Sequence, residues 1–156
     1  MTSTNFATAT DMFDRILVLC TGNICRSPVA EALLRQRFPG RQIGSAGLGA
    51  LVGEGAEPTA RELAEREGLD LSGHVARQVD VGMLQSADLV LVMSEGQRRA
   101  VAELHPAASG KTMLLTRWIG ESEVPDPYRK SRSAFEHVHR LLTQAVDAWV
   151  GKLPDR

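Results

Sequence analysis

The apolar positions of this chain come in two spacings that alternate along its length. Residues 15–19, RILVL, form a short continuous apolar run, the pattern of a strand buried on both faces rather than on one. The segment CTGNICRS follows, then PVAEALLRQRF, where Ser27 can cap a helix and Pro28 suits the first turn, in which a missing N–H costs nothing. The pattern then repeats, predicting a strand over 42–46, a helix over 58–67, a strand over 89–93, a helix over 95–104 and a fourth strand over 112–115. Ser94 and Gln97 stand at capping-box spacing at the head of the helix over 95–104. Phe135, Val138, Leu142, Ala145 and Trp149 recur at three- and four-residue steps and mark the buried stripe of a last helix.

Strands alternating with helices favour an α/β fold, with a parallel sheet covered by helices on both faces, right-handed crossovers and a ligand site at the carboxyl ends of the strands. CTGNICRS sits at such an end. The two long connections, over 47–57 and 120–131, are the other segments expected to serve a site.

Composition narrows the classes. A chain of 156 residues, 43% of them hydrophobic, suits one core of ordinary size, so one domain is expected over 14–153, preceded by a flexible polar tail over 1–13. The net charge of −1 gives no overall basic field, which argues against nucleic acid and anionic lipid as partners. No apolar run approaches the ~20 residues of a membrane span, and the first residues lack the basic start and apolar stretch of a secretory signal. With only Cys20 and Cys25, a disulfide framework is excluded and a reducing, cytoplasmic setting is the simplest expectation.

The candidate chemistry lies in CTGNICRS. A cysteine at a strand end, then five residues, then arginine and serine at a helix start, suits a phosphate dianion: the backbone N–H groups of the turn and the helix N-terminus can point at one centre. Gly22 eases the curvature, and Asn23 stands mid-loop, where a left-handed backbone is expected and asparagine tolerates it. Thr21, Ile24 and Cys25 complete the turn. Arg26 adds a planar fork able to grip two phosphate oxygens. The same dipoles and the guanidinium favour the thiolate form of Cys20, the form that attacks phosphorus. Stabilising charge on the equatorial oxygens in this way requires no metal and no cofactor. A lone Cys-x5-Arg spacing would also fit an ordinary buried cysteine and a surface arginine; the strand before it and the helix after it decide for the functional reading.

On these residues the chain resembles the low-molecular-weight protein tyrosine phosphatases, whose signature CTGNICRSPVAEALL is similar to. SAGLGALVGEGAEPTA, GHVARQV and VPDPYRKSRSAF resemble, more narrowly, the bacterial members serving capsule and exopolysaccharide production. The resemblance runs from about residue 16 to 149 and implies a three-layer α/β/α sandwich with a four-stranded parallel sheet, flavodoxin-like or Rossmann-like. It implies a phosphotyrosyl protein as substrate, and a bacterial tyrosine autokinase as the partner. It also implies a phosphocysteine on Cys20, with Arg26 binding phosphate.

Tyrosinate, of phenol pKa ~10, is a poor leaving group at neutral pH, so a proton donor is needed. Asp126 in VPDPY is the candidate. Its flanking prolines stiffen the loop, although a turn-forming aspartate fits the same residues. The resemblance assigns Asp126 as general acid and then base, and Tyr128 as one wall of the cleft. It also has Asn23 pinned by Ser27, Ser45 and His74, which keeps the loop preformed. Cys25 admits two readings: in relatives the second cysteine can trap the oxidised nucleophile as a disulfide, and a small buried apolar side chain would look the same.

Three rivals are weaker. Arsenate reduction on this loop needs further cysteines, and none follows Cys25. The arginine phosphatases have threonine where this chain has Ile24, whose apolar side chain favours an aromatic leaving group. A binding module would need the amides and Arg26 but has no use for Cys20 or Asp126.

Overall fold

The structure, a computed structural model, describes residues 13–120 and 122–154. Four strands form one parallel sheet: β1 (Arg15–Cys20), β2 (Gln42–Gly47), β3 (Leu89–Val92) and β4 (Thr112–Leu114), in the spatial order β2-β1-β3-β4. Among the described residues, five α-helices connect and follow them: α1 (Arg26–Arg37), α2 (Pro58–Arg66), α3 (Val81–Ser86), α4 (Glu95–Leu104) and α5 (Arg132–Trp149), with a short 3-10 helix at Pro106–Lys111 between α4 and β4. The chain leaves β1 for β2 on one side and returns to place β3 on the other, so β1 stands at the point where the strand order reverses, and Cys20 is its last residue. Parallel α/β sheets open a crevice for ligands there.

The β1 run is apolar on successive residues because both of its faces are covered. Ile16, Val18 and Cys20 pack into a core formed with α1, α2 and α5, where Leu33, Leu63, Phe135, Leu142 and Trp149 meet. Leu17 and Leu19 point the opposite way, into a second core with Leu84 of α3, Val101 of α4, and Val90 and Val92 of β3. Each such side chain contributes roughly 1.5–3 kcal/mol by leaving water, so the two cores together hold the crevice end of β1 in place. The five α5 residues of the apolar stripe are all buried, and the Trp149 indole N–H donates to Leu115 O at 2.8 Å, tying the helix to the end of β4.

Several local expectations shift. Strand β3 stops at Val92 and β4 at Leu114, one residue short of the predicted ends. Ser27 does not cap α1: the helix begins at Arg26, its N-cap is Cys25 and no side chain caps it, because the Ser27 hydroxyl is turned into the buried network described below. Ser94 does cap α4 by accepting from Gln97 N–H, but the Gln97 side chain does not close a capping box; its Oε1 accepts from Met93 N–H at 2.8 Å. The six-residue α3, capped by Asp80, is absent from the pattern-based prediction. Of the segment expected to be a flexible tail, residues 1–12 lie outside the described residues, and Phe13 packs against the first core with its carbonyl accepting from Arg41.

Candidate active site

The turn from Cys20 to Arg26 is shaped by what holds its carbonyls. Cys20 O accepts from Leu48 N–H, Thr21 O from Gly49 N–H and Gly22 O from Leu51 N–H, each at 3.0 Å, while Ile24 O accepts from Glu57 N–H at 2.8 Å. Asn23 O meets His74 Nε2 at 2.6 Å. Five successive carbonyls are thus turned outward. Among the described residues no peptide bond is cis, so the N–H groups that follow these carbonyls point the opposite way, inward from the turn. The uncapped N-terminus of α1 adds its own unsatisfied N–H groups at the same place.

This wrapping requires a close approach of the loop over 47–57, and Gly47 permits it: a Cβ there would lie 2.4 Å from Thr21 O. Asn23 has φ 58, the left-handed conformation expected for it. Its side chain is fully buried, with Nδ2 donating to Ser27 Oγ at 2.7 Å and Ser45 Oγ at 3.0 Å and Oδ1 accepting from Arg77 N–H at 3.0 Å. Ser27 Oγ lies 2.9 Å from Cys20 Sγ.

Arg26 is 5% exposed. Its Nη1 donates to Val124 O at 2.9 Å and its Nη2 to Thr21 Oγ1 at 3.4 Å, and Nη2 lies 3.7 Å from Asp126 Oδ2. Its Nε is buried and has no protein acceptor, a donor free for an oxyanion. Asp126 does two things: Oδ1 accepts from Tyr128 N–H at 3.1 Å, the turn-forming bond, while Oδ2 faces Arg26. The turn reading and the cleft-facing reading of this residue are therefore compatible. Tyr128 is partly exposed, and the Arg129 guanidinium sits over its ring at 5.3 Å. Cys20, Thr21, Gly22, Ile24, Cys25, Arg26, Asp126 and Tyr128 line one cleft of about 130 Å³, closed on a further side by Leu51. Ser27, Asn23, Ser45 and His74 lie beneath it or behind it.

Cys25 points differently from Cys20. It also borders an apolar gap with Val29, Leu63 and Phe135, and burial, followed by the nearby Cys20, Glu57 and Asp126, pushes its thiol up to about 12 against an opposing effect of Arg26. A thiol so held is neutral across the physiological range, which favours the packing reading of this residue.

The arrangement suits capture of a tetrahedral oxyanion beside a sulfur, with a carboxyl group and an aromatic wall at the rim. Residues 15–156 match the family model described as low molecular weight phosphotyrosine protein phosphatase. The chain belongs to that family. It is 46% identical to the low molecular weight protein-tyrosine-phosphatase Wzb of Salmonella typhimurium over 142 residues, covering 91% of this chain and 95% of Wzb. The crystal structure of the Erwinia amylovora tyrosine phosphatase AmsI superposes with a TM-score of 0.89 at 45% identity, covering 96% of this chain and 99% of AmsI. That of the tyrosine phosphatase Wzb from Escherichia coli K30, in complex with sulphate, gives 0.87 at 46% identity, covering 90% and 98%.

In this phosphatase, three contributors to the site were not singled out by sequence reasoning. Arg77 fixes Asn23 through its backbone N–H and reaches Ser45 O through Nε at 2.9 Å. A backbone donor leaves no trace in residue type. Gln97, buried on α4, sends Nε2 to Thr21 Oγ1 at 3.3 Å, so that this hydroxyl accepts from both Gln97 and Arg26. Val124 O ties Arg26 to the loop that carries Asp126. Among the described residues, no helix is long and apolar enough to cross a membrane.

Proposed function

We propose that this phosphatase, a single domain over 14–153, cleaves phosphotyrosine in proteins through a phosphocysteine on Cys20. The Cys20 thiolate attacks phosphorus, the S–P bond forms as the P–O bond to tyrosine breaks, and Asp126 gives its proton to the departing phenolate oxygen. Arg26 and the inward N–H groups hold the three equatorial oxygens. Asp126, now a carboxylate, takes a proton from water as that water attacks phosphorus, releasing phosphate and the Cys20 thiolate. Ile24, Leu51 and Tyr128 give the cleft apolar walls for an aromatic ring.

The observation that carries this reading is the buried Arg26 Nε without a protein acceptor, in the same cleft as Cys20 and Asp126. A buried donor is rarely left unpaired unless a ligand supplies its partner. We infer further that the phosphotyrosyl partner is a bacterial tyrosine autokinase of capsule or exopolysaccharide production, with the enzyme acting in the cytoplasm. The likeness of the loop segments around Ser45, His74 and Asp126 to the capsule-associated phosphatases supports this.

The test is chemical quenching of the Asp126→Ala variant during turnover of an aryl phosphate, followed by mass analysis of its peptides. Phosphate is expected on the peptide containing Cys20 and to be absent in Cys20→Ser, which retains vanadate binding but has no turnover. Turnover surviving in Cys20→Ser would remove Cys20 from the mechanism.

A further inference from the structure

The buried hydrogen bonds beneath Cys20 have a direction, and that direction is set from outside the cleft. Asn23 Oδ1 accepts from Arg77 N–H, a donor that cannot reverse its role, so Asn23 Nδ2 must face the two hydroxyls. Ser27 Oγ and Ser45 Oγ both accept from it, at 2.7 and 3.0 Å. Each hydroxyl then has its own hydrogen left for its other neighbour. For Ser27 that neighbour is Cys20 Sγ at 2.9 Å. For Ser45 it is Glu31 Oε1 at 2.5 Å, the separation of a hydroxyl bound to a charged acceptor.

Glu31 lies one helical turn beyond Ser27 on α1, so a single helix face supplies both ends of the chain of bonds. Arg35, another turn on, holds the second carboxylate oxygen, Oε2, at 2.7 Å. A carboxylate can only accept, and it therefore takes the Ser45 hydrogen and fixes the rotor of that hydroxyl. The Ser45 lone pair stays available to the amide. The amide then stays seated as a donor to Ser27, and the Ser27 hydrogen is left to the sulfur. Ser27, Ser45, Asn23 and Cys20 are all buried, so within this network each lost bond leaves a polar group without a partner.

We propose that Glu31 is a positioning residue for Cys20: acting through Ser45 and Asn23, it keeps the Ser27 hydroxyl donating to the sulfur. This rests on Cys20 as nucleophile. The outer end of the network opens onto a hollow of about 590 Å³ lined in part by Glu31, Ser45, His74 and Arg77. Water there can accept from Ser45 when the carboxylate is removed, so the effect is partial, on the order of a tenfold loss in kcat.

The experiment compares Glu31→Ala, Glu31→Gln and Ser45→Ala, singly and with Glu31→Ala combined with Ser45→Ala. It measures kcat and KM on p-nitrophenyl phosphate and the pH dependence of Cys20 alkylation by iodoacetate. Glu31→Ala is expected to lower kcat roughly tenfold with KM within about twofold, and to move the alkylation midpoint to higher pH. Glu31→Gln, which keeps an oxygen acceptor, is expected to recover most of both. In the Ser45→Ala background, Glu31→Ala is expected to add nothing. Arg61→Ala, which breaks an exposed ion pair with Glu65 on α2, serves as the control with near-normal activity. An unshifted alkylation profile in Glu31→Ala, additive losses in the double variant, or a Gln variant as impaired as Ala would each overturn the proposal. Should Glu31→Ala not fold, Ser45→Ala must show the same shift, and an unshifted profile there overturns it equally. Failure of the nucleophile reading would register separately, as turnover in Cys20→Ser.

Discussion

The turn over 20–27 and the loop over 122–131 face each other across one cleft and are built on opposite terms. In the turn, five carbonyls are held from outside, Asn23 has every polar group of its side chain occupied, and Cys20, Asn23, Arg26 and Ser27 are all buried. In the loop, the Asp126 side chain is 49% exposed. Apart from the local turn bonds at Asp126 and Lys130, the loop's attachments sit at its start, before Asp126: Ser122 O from Thr116 Oγ1, Glu123 Oε2 from Glu95 N–H, Val124 N–H to Met93 O and Val124 O from Arg26. The difference follows from the two tasks. Stabilising charge on phosphate oxygens needs donors that do not reorganise, so they belong on the end of a buried strand. A proton donor must meet leaving groups of varied shape and give access to water, which an exposed loop permits.

The sharpest way to break that contrast is within the turn. Arg26→Lys should lower kcat/KM by at least ~10²-fold, because an ammonium cannot reproduce the planar fork and would also release Val124 O, the link to the acid loop. Measured with an aryl phosphate, a near-normal rate would mean that Arg26 does not grip phosphate and that the turn is not the rigid partner.

A smaller effect tests how firmly the turn is packed. Burial, before the neighbouring charges, raises the Cys25 thiol from its ordinary 9.0 to about 12, so between those values the unfolded chain gives up this proton while the folded chain keeps it. The unfolded state then binds fewer protons, and stability falls as pH rises through that window. Urea midpoints of wild type and Cys25→Ala should therefore converge or cross as pH rises from about 9 toward 12, with the wild type losing more. Parallel profiles would show that Cys25 is not held in this environment.

Much of this was legible in the sequence where a residue's type reflects its own role. The β1 run and the α5 stripe were readable because burial imposes a period, and Cys20 and Arg26 stood out as candidates because a strand and a helix flank their motif, whereas Asp126 was singled out by the family resemblance, its residues alone fitting a turn-forming aspartate equally well. What escaped was determined by partners distant in the chain. Ser27 read as a helix cap because capping is the local use of serine at a helix start; its actual partners, Cys20 and Asn23, become neighbours only once the turn closes. Gln97 read as half of a capping box for the same reason, while its amide reaches Thr21 across 76 residues. The α3 helix is too short for a periodic signal. Glu31 had a signal that could have been used, a carboxylate one turn from Ser27 on the same helix face.

The division of labour across the cleft is tested most directly by the Asp126→Asn variant on two substrates that differ in leaving group. A phosphotyrosyl peptide releases a phenolate that must be protonated, whereas p-nitrophenyl phosphate releases a far less basic anion that scarcely needs a proton. The substituted amide would keep the size and turn-forming oxygen of the native side chain and lose only the proton. Single-turnover rates of phosphoenzyme formation should then fall by roughly 10²-fold or more on the peptide and much less on the nitrophenyl ester. Equal losses on both substrates would contradict the account, placing Asp126 among the residues that shape the cleft rather than at the proton transfer.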